Sequence, residues 1–234
     1  MREIIFDTET TGLDSRSDRI IEIGGVELVN RFPTGRTFHA YINPQGKPVH
    51  PDAQAVHGIS NADLDGKPAF PEVAPLFLDF IEGAILVAHN ANFDMGFINA
   101  EFARLQMPAV DPGRVIDTLA IARRKHPMGP NSLDALCKRY GIDNSRRTRH
   151  GALLDAELLA EVYTELMGGR QAAFGLEQET TAPLEESEPA TDALPMADLP
   201  ILPSRLTETE RLAHLVLVEK LGDKAIWKKI AGFQ

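Results

Sequence analysis

The sequence predicts an α/β fold: a mixed sheet of three antiparallel strands then parallel strands, flanked by helices and followed by a flexible C-terminal tail. Three observations predict it. Residues 2–43 carry strand-like apolar runs, residues from 53 onward carry helical periodicity broken by two further strand-like runs, and the composition changes abruptly after Gly168-Gly169.

The elements follow in order. Ile4-Ile5-Phe6 is a short apolar run, Ile20 to Val29 is a longer one, and Thr37 to Ile42 alternates apolar and polar side chains, the period of a half-buried strand. Their connections are short and polar or contain Gly and Pro, as in an antiparallel meander. Pro71 to Glu82 carries Val73, Leu76, Phe77, Phe80 and Ile81 at helical spacing, with Pro71 suited to a first turn. Ala84 to Ala88 reads as a buried strand, Asn92 to Gln106 as a helix and Val115-Ile116 as a short strand. Helices near 117–125, 132–140 and 151–167 complete a domain spanning residues 1–170.

Residues 177–200 hold seven acidic residues, no basic ones and four prolines. That composition cannot bury enough apolar surface to fold, so residues 171–203 are expected to act as a disordered linker. Beyond Pro203 the apolar period returns with Leu212, Leu215, Val216, Val218, Leu221, Ile226, Trp227 and Ile230. A segment of about 30 residues is too small to be stable alone. Residues 204–234 are therefore expected to form an amphipathic segment that folds against a partner.

No window reaches the roughly 18 uncharged apolar residues of a membrane span, and nothing at the N-terminus resembles an export signal. The single cysteine, Cys137, has no intrachain partner and sits among Leu133, Leu136 and Tyr140 at core-like spacing. A reduced, cytoplasmic protein is expected. The net charge of −10 argues against a polyanionic partner on its face. Yet basic residues cluster at Arg123-Arg124-Lys125 and at Arg146-Arg147-Thr148-Arg149, and several acids belong to candidate metal-binding positions. Net charge leaves nucleic acid open.

Three short blocks carry the candidate chemistry. Asp7-Thr8-Glu9-Thr10-Thr11-Gly12 follows the first strand, and on extended backbone Asp7 and Glu9 point to one face. Adjacent carboxylates repel, and a divalent cation makes their pairing favourable; an exposed acidic strand end is the simpler alternative. His89-Asn90-Ala91-Asn92-Phe93-Asp94 joins a buried strand to a helix, where Asp94 serves a ligand or merely the helix start, with Asn92 as cap. In His150-Gly151-Ala152-Leu153-Leu154-Asp155, Gly151 permits a bend that lets His150 reach back, and Asp155 occupies the first turns of the next helix.

Together these blocks, in this order and at these spacings, resemble the DEDD exonuclease superfamily in its subclass with a catalytic histidine. The resemblance covers about residues 3–167 and implies a ribonuclease H-like fold. It implies that Asp7, Glu9, Asp94 and Asp155 hold two Mg2+ or Mn2+ ions and that His150 is the general base of a 3′→5′ exonuclease releasing 5′-mononucleotides. Within the superfamily the chain is similar to the proofreading subunits of bacterial DNA polymerase III. In those, Asp52 and His57 of the segment Pro51 to Ile59 match substrate-contacting positions. Substrate selection is expected from Thr10, Gly12 and Leu13, with Gly12 letting the nucleic-acid backbone approach, Leu13 wedging beside the terminal base, and His57 reaching the last nucleotide from a polar loop. The same resemblance implies that residues 204–234 bind the polymerase (alpha) subunit, that Gln171, Phe174 and Leu176 form a sliding-clamp peptide, and that a small third core subunit joins them. Ribonuclease T and oligoribonuclease share the five catalytic residues, so RNA trimming stands as a rival, as does a non-catalytic scaffold role. The acidic linker and tail favour proofreading of DNA 3′ ends.

Overall fold

The computed structural model describes residues 1–169 and 207–220. Two compact units, Met1–Leu176 and Glu177–Gln234, divide the chain. The first contains β1 (Arg2–Thr10), β2 (Ile20–Val29), β3 (Phe32–Tyr41), α1 (Pro51–His57), α2 (Phe70–Ile81), β4 (Ile85–Ala88), α3 (Ala91–Arg104), β5 (Val115–Asp117), α4 (Thr118–Lys125), α5 (Leu133–Tyr140) and α6 (Ala152–Leu166). The sheet order is β3-β2-β1-β4-β5. β1–β2 and β2–β3 pair antiparallel, and β1–β4 and β4–β5 pair parallel. The mixed sheet of antiparallel then parallel strands expected from the sequence is present.

β1 shows how period-2 geometry builds two layers. Ile4 and Phe6 enter a core with α2 and α3, including Phe77, Phe97 and Ile98. Ile5 enters a second core with α5 and α6, including Leu136, Leu159 and Tyr163. Successive strand residues face opposite sides, so Asp7 and Glu9 share the α6 side with Ile5, whereas Thr8 shares the α3 side with Phe6. The strand runs to Thr10, past the apolar run that ends at Phe6, because pairing with β2 continues through Glu9 opposite Glu22. Asp7 and Glu9 therefore lie within a strand, not beyond its end.

α6 lies close on the sheet because of one glycine. Gly24 is paired with Asp7, and a Cβ there would sit 2.1 Å from the backbone nitrogen of Leu153. Only glycine admits that approach. The Gly151 N-cap of α6 supplies no side chain, so Glu22 Oε2 accepts the Ala152 N–H at 3.1 Å instead. A carboxylate at a helix N-terminus is stabilised by the unsatisfied N–H groups there.

Several expectations need correction. β3 begins at Phe32, five residues before the alternating stretch. Leu76 is 66% exposed, because Val73, Ala74, Phe77, Phe80 and Ile81 define a buried stripe that Leu76 flanks. α3 starts at Ala91 with Asn90 as its N-cap at φ 66°, in place of Asn92. In the second unit the described part is α7 (Glu208–Lys220). Its run Leu215-Val216-Leu217-Val218 advances about 100° per residue and so encircles the helix, which makes α7 less one-sided than an amphipathic stripe. Leu212, Leu215, Val216 and Leu217 are exposed and Val218 is buried. Residues 170–206 and 221–234, with Gln171, Phe174 and Leu176, lie outside the described residues. No described helix is long and apolar enough to cross a membrane.

Candidate active site

Three elements bring carboxylates to the end of β1. Asp7 and Glu9 project toward α6, while Thr8 between them reaches α3. Its N–H and its hydroxyl both donate to Asp94 Oδ1, at 3.1 and 2.7 Å. Asp94 thus bonds across to β1, which a helix-capping role alone does not explain. Asp155 arrives on the first turn of α6. His150, in the preceding loop, is tethered by its N–H to the Val56 carbonyl at 3.3 Å. Ligand atoms of Glu9, His150 and Asp155 lie within 4.8 Å of one another.

The electrostatics mark this cluster as short of positive charge. Burial, reinforced by Asp94, Glu9 and Asp155, holds the Asp7 carboxyl well above its ordinary range. Glu9 is pushed up to about 8 by burial and then by Glu22, Asp155 and Asp94. Asp94 rises to about 7 through burial, against the Thr8 hydrogen bonds that favour its ionised form. Asp155 goes the other way. Burial pushes it up, but hydrogen bonds from Arg147 and His150 outweigh that and hold it below the ordinary range. Arg147 Nε and Nη2 grip both Asp155 oxygens at 2.6 and 2.8 Å. Its Nη1 reaches Asp134 at 2.7 Å.

An open cleft of about 240 Å³ fronts the cluster, lined among others by Asp7, Glu9, Leu13, His57, Asp94 and His150. Thr10 and Gly12 also line it, and the Thr10 hydroxyl donates to the Gly12 carbonyl at 2.6 Å. Leu13 is 85% exposed at the rim. His57 is not in a polar loop: it closes α1 and is 6% exposed. The Ile59 N–H donates to its Nδ1 at 3.0 Å, which leaves the ring proton on Nε2. That atom is buried and has no partner among the described residues. Asp52 is outside the cleft lining, with its side chain 94% exposed beside His50.

Two glycine arguments change. A Cβ on Gly12 would meet Asp18 Oδ2 at 2.5 Å, so Gly12 makes room for this chain's own carboxylate. Gly151 has φ −162°, an extended conformation open to any residue, and nothing lies within 4 Å of an added Cβ. Its bend is not what turns His150 toward the site. Thr8, Glu22, Gly24, Asp134 and Arg147 join the site only through the fold. Arg147 did stand in a basic run next to His150, which was the one available signal.

The donor set is suited to a hard divalent cation: four carboxylates, raised charge density, and no thiolate, with zinc sites more often recruiting histidine and cysteine. The free Cys137 thiol is buried in the α5–α6 core and pushed up to about 11 by that burial.

Comparison with known proteins adds to this geometry. The model of the family described as RNase_T, Exonuclease, matches residues 4–163. The DNA polymerase III subunit epsilon of Escherichia coli (strain K12) is 46% identical, with 97% of each chain covered. That of Haemophilus influenzae is 45% identical, covering 99% of this chain and 96% of the relative. Exonuclease X, solved in complex with 5′-overhanging duplex DNA, is 30% identical with a TM-score of 0.54, covering 71% of this chain and 90% of that one. The nuclease domain of 3′hExo, a DEDDh family member, is similar in fold, with a TM-score of 0.61, 18% identity, and coverage of 71% and 91%.

Proposed function

This chain belongs to the RNase T-type exonuclease family and, within it, to the DNA polymerase III epsilon subunits, and we propose that the cleft at the end of β1 is where it removes mispaired nucleotides. The protein is a metal-dependent 3′→5′ exonuclease that proofreads within DNA polymerase III. The observation that supports the assignment of residues is that Asp7, Glu9, Asp94 and His150 line one cleft while Asp155 stands behind it, its ligand atoms within 4.8 Å of those of Glu9 and His150.

We assign Asp7, Glu9, Asp94 and Asp155 as the residues that would hold two Mg2+ or Mn2+ ions. When bound, such ions lower the pKa of a water from about 16 toward about 7 and stabilise charge on the attacking and leaving oxygens. His150 accepts the water's proton, as suits a partly exposed imidazole at a cleft edge. The water oxygen bonds to the terminal phosphorus as the bond to the penultimate 3′-oxygen breaks. That oxygen leaves, becomes protonated, and ends the shortened strand, and a 5′-mononucleotide departs. His57, which lines the cleft, stands beside the place of the terminal nucleotide, and exposed Leu13 offers a wedge beside its base. Both contacts tolerate any base, so frayed, mispaired ends are selected by their access to the cleft.

The test compares mononucleotide release from DNA and RNA oligonucleotides with paired and mispaired 3′ ends, with and without chelator. Faster release from mispaired DNA, abolished by chelator, is the expected result; preference for RNA would move the substrate to the ribonuclease T-like alternative. For partners, we propose that residues 204–234 hold the polymerase (alpha) subunit, that Gln171, Phe174 and Leu176 touch the sliding clamp, that a small third subunit completes the core, and that the compartment is the cytoplasm. The exposed Leu212, Leu215, Val216 and Leu217 of α7 support the first of these. Deleting residues 177–234 is expected to spare nucleotide release and abolish co-purification with the polymerase subunit.

A further inference from the structure

Arg147 stands where the proposed chemistry needs a cation, and its contacts give it a second place to go. Its guanidinium takes both oxygens of Asp155. A bidentate fork of this kind occupies the carboxylate edge that a cation would use. The side chain is well buried, as is Asp155. The remaining arm holds Asp134 Oδ2, whose other oxygen accepts from Asn144 at 2.9 Å. Asp134 is half exposed and lies outside the cleft. The same Nη2 lies 2.7 Å from His150 Nδ1, so Arg147 engages the proposed general base as well.

We propose that Arg147 is a placeholder cation and positioning residue: it neutralises Asp155 before metal arrives, then yields that carboxylate to the ion while Asp134 retains it. The physical need is clear. A buried carboxylate without a partner is strongly unfavourable; Asp7 and Glu9 crowd Asp155 with like charge, and besides Arg147 its carboxylate meets His150 Nδ1 at 3.2 Å. Yielding Asp155 also withdraws Nη2 from His150, so metal loading and release of the base become one event. Asp134 is the parking site that makes the exchange affordable, since the guanidinium never loses its last carboxylate. This inference rests on the metal-site reading given above.

The experiment measures Mn2+ affinity by calorimetry and melting temperature with and without Mn2+, on the full chain. Arg147→Met is expected to bind Mn2+ about tenfold more tightly, because a charge-assisted contact no longer competes with the ion. Its metal-free melting temperature falls, and Mn2+ restores it. Asp134→Asn is expected to bind Mn2+ about threefold more weakly, because a partly exposed ion pair that favoured release has gone. Opposite shifts in the two variants support the exchange. Unchanged affinity in both, or a shift in the same direction, overturns it, as does a melting loss in Arg147→Met that Mn2+ leaves untouched. Should Arg147→Met fail to fold in either state, Asp134→Asn alone decides, with weaker binding in support and unchanged binding against. Wild-type protein that binds no Mn2+ at all would instead sink the metal-site reading itself.

Discussion

Two buried carboxylate clusters in the first unit are neutralised in opposite ways. Glu101, 1% exposed, is met by Arg19 at 2.7 Å and Arg104 at 3.2 Å, with the Ile20 N–H added at 3.4 Å. That cluster supplies two arginines to one carboxylate and is complete as folded. At the cleft, Arg147 alone among the described arginines bonds to any of Asp7, Glu9, Asp94 and Asp155; it reaches only Asp155 and is shared with Asp134. Three of the four carboxyls are raised as a result of burial and crowding. The lesson is that burial by itself marks no site. A cluster left short of cations by its own chain is one built to take them from outside.

Substitutions sharpen that contrast. Asp7→Asn is expected to abolish mononucleotide release while leaving the protein folded, and to raise the melting temperature of the metal-free form, because a neutral amide escapes the cost that burial and neighbouring carboxylates impose on an ionisable group there. Full activity in that variant would break the assignment. His150→Ala is expected to lower kcat by about 10²–10⁴-fold, with Mn2+ affinity by calorimetry little changed; an equal loss of metal binding would make His150 a ligand instead. Glu101→Ala moves in the opposite sense from Asp7→Asn. It leaves two arginines without their carboxylate and is expected to cost about 3–5 kcal/mol of stability, read by urea unfolding with and without Mn2+. A loss that Mn2+ restores would place Glu101 in the metal site and dissolve the comparison.

The same contrast can be read from the effect of pH on the metal-free protein. Unfolded Asp and Glu titrate near about 4, while folded Glu9 is at about 8 and Asp94 at about 7. Between those values the folded state holds more protons than the unfolded one, so stability falls as pH rises from about 5 to 8. Asp155, held below the ordinary range, contributes stability above about pH 4 and loses it only on further acidification. Melting curves without metal should show the decline toward pH 8, and saturating Mn2+ should flatten it. A rise in stability from pH 5 to 8 without metal would contradict the raised carboxyls.

The sheet and its order of elements were legible because period-2 and period-3.6 patterns are local. Asp7, Glu9, Asp94, His150 and Asp155 were legible as candidates because they sit in compact blocks at element ends. What escaped depends on residues far apart in the chain. Thr8 holds Asp94 from 86 positions away, and Glu22 caps α6 from 130. Gly24 is visible as a glycine in a strand, but its reason, the backbone of Leu153, exists only after folding. His57 read as a loop residue because α1 is seven residues long, too short to establish a helical period. Gly12 and Gly151 are visible as glycines in the sequence, but that Asp18 needs the first and nothing nearby needs the second appears only in the fold.

We propose that divalent ions held on Asp7, Glu9, Asp94 and Asp155 complete the cleft. A calorimetric titration of the full chain with Mn2+ at pH 8, run beside Asp7→Asn, tests it most directly. Two ions per chain, bound with proton release and lost in Asp7→Asn, is the predicted result. Absence of binding, or binding that Asp7→Asn leaves intact, would contradict it.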